Sequence, residues 1–253
     1  MRSTEEGVSV PLYRLVEEGT GAVYVEAHDI RGFFVAPDES VPAEVLFRAA
    51  VRGRAGRGDE LADAELQVIN VAGAVIGSYY IGHVQLKSES VPGNAGEIAQ
   101  ISASFGGYAF PYPAAGEIWR RWASGIPVQR AEWAALPAGA HGSWLHVAAT
   151  AWFETGRKAM RYGADEVGVI NSSHLRNESS FYCELGEAIN GPGGYFGATL
   201  DGLVDCLISS QRPGAPIRLV WQDFITAQER LGGKIIDPLV ETLREFNVDL
   251  LLR

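Results

Sequence analysis

Four glycines and a proline crowd into residues 191–197, GPGGYFG, between two apolar stretches of helical character. A glycine inside a helix costs about 1 kcal/mol and a proline about 3 kcal/mol relative to alanine, so no helix runs through this segment and it must turn. The residues that follow, TLDGLVDCL, read as a new helix. Thr199 is a capping residue type, and Leu200, Leu203 and Leu207 recur at helical spacing, which gives one face to bury. Asp201 and Asp205 stand four residues apart and therefore lie one above the other. Like charges in that relation repel by roughly 0.2–0.5 kcal/mol, offset in part for Asp201 by the positive end of the helix dipole. Tyr195 and Phe196 stand at the mouth of the helix, where loop aromatics offer contact area at low entropic cost. The segment predicts an exposed, negatively charged prong beside two rings. First-turn aspartates are also ordinary helix-start residues, so spacing alone leaves both meanings open.

Around this segment the chain alternates strand and helix. Residues 167–171 form an apolar strand, and 179–189 a helix with Phe181, Leu185 and Ile189 on one side. After the helix at 200–209, Pro213 and Gly214 break the chain before a strand at 217–221. Helices at 224–231 and 235–246 lead to residues 250–252, an apolar run that suits a sheet covered on both sides. Strands separated by helices imply parallel pairing with right-handed crossovers.

Four blocks occur here in order: VGVINSSHL (167–175), YFGATLDGLVDCL (195–207), IRLVWQDF (217–224) and the terminal VDLLLR. On these blocks residues 164–253 resemble the barstar family of intracellular ribonuclease inhibitors. The resemblance implies an α/β domain with a three-stranded parallel sheet, no catalysis, and a basic extracellular-type ribonuclease or ribonuclease toxin as partner. It implies that Tyr195, Asp201 and Asp205 enter the nuclease active site in place of RNA base and phosphate, with Gly197 closing the loop and Thr199 at the capping position. A glutamate of the last helix also takes part in the family, and Glu241 and Glu245 both match it. The chain departs from the pattern at Val204, where the family usually carries tryptophan, at Thr199, where it carries asparagine, and at Val248, where it carries a second cysteine. The alternative reading is an immunity or interaction adaptor for a partner that is not a ribonuclease.

The chain has 253 residues, beyond a typical domain of about 100–150 residues, and the resemblance covers only its last third. Two domains follow, 1–163 and 164–253. A hydrophobic fraction of 47% with 21% charged residues excludes a disordered chain, and no apolar run approaches the ~20 residues that span a bilayer. The first thirty residues lack the basic start and apolar core of a secretion signal, which points to the cytoplasm. Cys183 and Cys206 sit in apolar helical contexts and read as buried small hydrophobes, without a disulfide. From residue 164 onward there are 13 acidic residues against 7 basic ones. Such a surface repels phosphate and attracts cationic clefts, so the expected partner is a basic protein, with no direct nucleic acid, no membrane and no cofactor.

The first 163 residues read differently. Stretches 12–17, 22–27, 32–35 and 45–51 are short and β-favouring, divided by Glu, Gly and Pro, and 66–86 is rich in Val, Ile and Tyr. They predict an antiparallel, mostly β or α+β domain of unknown function. Residues 88–94 and 111–116 read as turns and 117–125 as a short helix, while 143–152 fits strand or helix equally. GRAGRG at 53–58 lacks the context of a phosphate cradle and reads as a basic turn. His141 and His146 are five apart, off the i, i+4 spacing of a helical metal pair, and read as structural. Trp119 and Trp122 read as core and rim in preference to a base-stacking platform.

Overall fold

The computed structural model describes residues 10–53, 58–90, 99–163, 166–212 and 214–253. The chain divides into two compact units, Met1–Ile126 and Pro127–Arg253.

Six strands build the first unit: β1 (Tyr13–Glu17), β2 (Val23–Arg31), β3 (Val45–Arg52), β4 (Glu60–Ile69), β5 (Val75–Ser90) and β6 (Gln100–Ser104). They close into a barrel in the order β1-β2-β3-β6-β5-β4, antiparallel throughout. Closure pairs every strand edge, and side chains alternate between wall and interior, so Leu15, Val25, Phe47, Leu66, Val84 and Ala103 are buried inside. Helix α1 (Ala115–Ala123) lays Trp119 over β5 at Gly77, where a Cβ would come within 2.4 Å of the indole. The indole N–H donates to Tyr79 Oη at 2.8 Å, which satisfies a polar group that burial would otherwise strand.

The mostly β expectation holds, with local differences. Residues 32–35 are not a strand and contribute a single bridge, Phe34 to Phe110. The stretch 66–86 is the end of one strand and most of another, because Asn70 Oδ1 accepts from the amides of Ala72 and Ala74 and folds the chain into a turn. Strand β5 continues through Ser90, past the start of the turn expected at 88. The remainder of that turn, 91–94, and residues 54–57 of GRAGRG lie outside the described residues.

The second unit contains α2 (His141–Glu154), β7 (Val167–Asn171), α3 (Glu178–Asn190), α4 (Leu200–Ser210), β8 (Arg218–Gln222), α5 (Phe224–Leu231), α6 (Gly233–Glu245) and β9 (Asp249–Leu252). The sheet is parallel, ordered β7-β8-β9. Its register aligns Gly168, Leu219 and Leu250 in one row and Ile170, Trp221 and Leu252 in another, on the face whose central side chains are buried. The opposite rows contain Val167, Arg218 and Asp249, then Val169, Val220 and Leu251. Here Leu251 is 46% exposed and Val167 47%. The expectation of a final strand buried on both sides is therefore corrected. Strand β9 is an edge strand of a sheet with one covered face, and the apolar run 250–252 does not alternate in sequence although its environment does.

The boundary also moves. The sequence reading closes the first domain at residue 163, but residues 127–163 pack into the second unit. The undecided stretch 143–152 belongs to α2, whose buried His141, Trp144, Leu145, Ala148, Ala151 and Trp152 follow the 3, 4, 7 spacing of a helix and not the alternation of a strand. Polar pins fasten the segment further: the Arg161 amide donates to Ser210 Oγ at 2.7 Å, and its guanidinium to Ala215 O at 2.9 Å.

Candidate functional site

Helix α3 starts on a reciprocal cap, with Asn177 Oδ1 accepting from the Ser180 amide at 2.9 Å, and ends where Gly191 takes φ +82°. The chain then turns through the glycine loop. At Gly197, φ is +90° and a Cβ would meet the backbone of Leu203 at 2.8 Å, so only glycine lets the loop lie this close to the next helix. Thr199 Oγ1 accepts from the Gly202 amide at 3.1 Å and caps α4 as expected. Leu203, Cys206 and Leu207 are buried, whereas Asp201, Asp205 and Ile208 share an exposed stripe. Neither aspartate has a hydrogen-bond or ion-pair partner among the described residues. Two like charges share the outer face of a capped helix, with no cationic side chain paired to either among the described residues.

The aromatic half of the expectation is corrected. Phe196 is fully buried, and Tyr195 keeps only 8% of its surface. The loop aromatics point inward because the loop lies against α3, where a Cβ on Gly186 would strike Gly194 O at 2.3 Å. A second cover comes from α2: the Phe153 ring meets Tyr195 edge to face at 5.3 Å. Burial pushes the Tyr195 hydroxyl up to about 12, with smaller contributions from Cys206 and the Asp205 carboxylate. The Tyr195 hydroxyl bounds the space beside Gly202, in the first turn of α4.

Two side chains of α3 brace the loop against residues 127–163. Glu187 accepts from the Ala131 amide at 2.7 Å and the Gly193 amide at 3.1 Å, and burial raises its pKa despite those two donors. Asn190 Oδ1 accepts from the Tyr162 amide at 2.7 Å and the Gly163 amide at 3.3 Å, while its amide donates to Tyr195 O at 2.7 Å and Met160 O at 3.2 Å. One turn earlier, buried Glu184 meets His174 Nδ1 at 3.0 Å and Arg130 at 3.6 Å. Acids that hold the fold are thus bonded or paired, in contrast to Asp201 and Asp205. Sequence reasoning missed Phe153, Glu187 and Asn190 as supports of the site. The helical spacing of 141–152 was the available signal for the first; the other two each have one partner in the loop itself, but the bonds that tie them to residues 127–163 reach 27 to 56 residues back and no local pattern marks them.

Glu241 and Glu245 are exposed on α6 and border a cavity of about 790 Å³ with Asp237, Arg244, Phe224, Gln228, Val240 and Leu252. No residue of α4 lines it, so the structure does not gather these glutamates and the aspartate pair into one cavity. Cys183 and Cys206 are free and buried, as expected of small hydrophobes. His141 is buried against Trp133 at 5.1 Å, with Nε2 3.2 Å from Leu136 O. His146 is pushed down to about 4 by burial. No cluster of three His, Cys, Asp or Glu side chains suited to a metal occurs among the described residues, and no helix among them is long and apolar enough to cross a membrane.

No curated protein matches the chain. Residues 166–250 match the family model described as Barstar (barnase inhibitor), and no family matches the N-terminal region, so the C-terminal part of this chain is barstar-like, within a unit that begins some forty residues before the match.

Proposed function

We propose that this chain is a stoichiometric inhibitor of a basic, barnase-type microbial ribonuclease, and that Asp201 and Asp205 occlude the cationic cleft in which such an enzyme holds RNA phosphate. The observation that carries the reading is the pair of exposed carboxylates on the outer stripe of α4, without a partner among the described residues, in the part of the chain that matches an inhibitor family. Self-repulsion within the pair is relieved when arginine or lysine side chains of a partner supply charge-assisted hydrogen bonds. A buried carboxylate–cation contact of that kind sits among the residues that dominate an interface. The acidic surface of this region, 13 acids to 7 bases from residue 164, also attracts a basic partner from a distance. The proposed site comprises Asp201, Asp205, the capping Thr199 and the loop glycine Gly197, with Glu241 and Glu245 as outer contacts.

Titration of the full-length chain into a purified barnase-type ribonuclease tests this. Wild type is expected to abolish cleavage at a one-to-one ratio. Asp205→Ala is expected to weaken binding by at least about 2 kcal/mol with the melting temperature unchanged. An unchanged dissociation constant for that variant removes α4 from the interface. An inhibitor or immunity role against a partner other than a ribonuclease becomes the better reading if wild type leaves the nuclease active.

A further inference from the structure

The barstar-like loop carries its tyrosine at Tyr195, yet that ring is 8% exposed and lies under another aromatic. The covering ring is Phe153, in the last turn of α2, within residues that lie outside the family match. Phe153 is itself 47% exposed. Trp144, Leu145, Val147, Ala148, Ala151 and Trp152 face inward, while Phe153 lies with His146 and Thr150 on the outer face of the helix, a large apolar ring on the side turned from the core. Nearly half of this large ring is left in water by the fold. It sits one ring away from the start of α4, since Tyr195 touches Phe153 on one side and borders Gly202 on the other. Ile208, 56% exposed, continues the stripe of Asp201 and Asp205 at the far end. One exposed apolar side chain thus shares the stripe of the two carboxylates, and a second lies across Tyr195 from the first turn of α4; apolar surface around charged contacts is what excludes water at a hot spot. Arg157, the next cation along the chain, stacks over Trp152 at 4.5 Å and so engages a ring that is buried beside Phe153 in the helix.

We infer that Phe153 is the aromatic contact of the inhibitory surface, taking the role that Tyr195 has surrendered to the core, so that residues 127–163 form part of the partner-binding face. The partner that fits is a basic nuclease with a planar or apolar group next to its cations. This rests on the inhibitor reading above. A ring already held by one edge against Tyr195 loses little freedom on binding, which makes it a low-cost source of buried area.

The test measures association and dissociation rates of the full-length chain with a purified barnase-type ribonuclease, in wild type, Phe153→Ala, Phe153→Leu, Phe153→Tyr and Asp205→Ala, alongside melting temperatures. Phe153→Ala is expected to raise Kd at least tenfold, mainly through faster dissociation. Phe153→Leu keeps Tyr195 covered by an apolar side chain yet lacks a plane, and is expected to raise Kd at an unchanged melting temperature, which reads the ring's role even if the alanine variant folds poorly. Phe153→Tyr is expected to retain wild-type affinity. If Asp205→Ala weakens binding while Phe153→Ala and Phe153→Leu do not, Phe153 is no contact and the inhibitor reading stands alone. If wild type does not bind the ribonuclease, both fall.

Discussion

Residues 127–163 and residues 166–250 share one compact unit but are built on different principles. The later region is a regular βααβααβ succession whose apolar periodicity dictates its elements one at a time. The earlier one has a single long helix, two short 3₁₀ turns and connecting chain, and its place is decided by long-range polar pins: Ala131 to Glu187, Tyr162 and Gly163 to Asn190, Arg161 to Ser210. In the proposed reading the later region supplies the two carboxylates of the binding surface, while the earlier one braces the glycine loop through these pins and adds Phe153. A glycine loop with this much backbone freedom is costly to order at the moment of binding, and bracing it beforehand reduces that cost.

The sharpest way to break the comparison is to cut between the two regions. A fragment of residues 127–253 is expected to fold cooperatively and to bind the ribonuclease as the whole chain does. A fragment of 164–253 loses α2 and every pin, and is expected to lose most of the roughly 5–15 kcal/mol that keeps a domain folded. Circular dichroism melts of the two fragments decide the matter, and equal melting temperatures would show that 127–163 is an ornament.

A smaller effect separates the regions by pH. His146 lies in α2, and its folded value of about 4 is below the ordinary 6.5 because burial disfavours the charged ring. The unfolded chain binds that proton first, so the contribution is present above pH 6.5 and is lost as pH falls from 6.5 through 4, a total of about 3 kcal/mol. Denaturant melts from pH 7 to 4 should show this limb in wild type and a flatter one in His146→Gln. An unchanged slope would place the acid sensitivity of the unit elsewhere.

Asn190→Ala sharpens the comparison at a single side chain. It strips partners from two amides and two carbonyls that link the loop to residues 160–163, and is expected to cost about 2 kcal/mol of stability. Because the loop is then freer, hydrogen exchange of the Tyr195 and Phe196 amides should accelerate more than that of the β8 amides. Uniform acceleration would mean that Asn190 supports the whole unit and not the loop.

Much was written in the residues themselves. The glycine and proline content of 191–197 required a turn, Thr199 required a helix start, and the i, i+4 spacing put Asp201 and Asp205 on one stripe, because each of these follows from local sterics and helical geometry. The antiparallel β character of the first unit was legible too, although barrel closure was not, since it depends on which strands meet at the end of the sheet. Tertiary structure alone decided that Tyr195 and Phe196 face inward, that Leu251 faces water, and that α2 belongs with the barstar-like sheet. Exposure of a loop aromatic or an edge-strand leucine is set by what packs over it, here a ring 42 residues earlier in the chain or nothing at all, and no local pattern encodes a neighbour that distant.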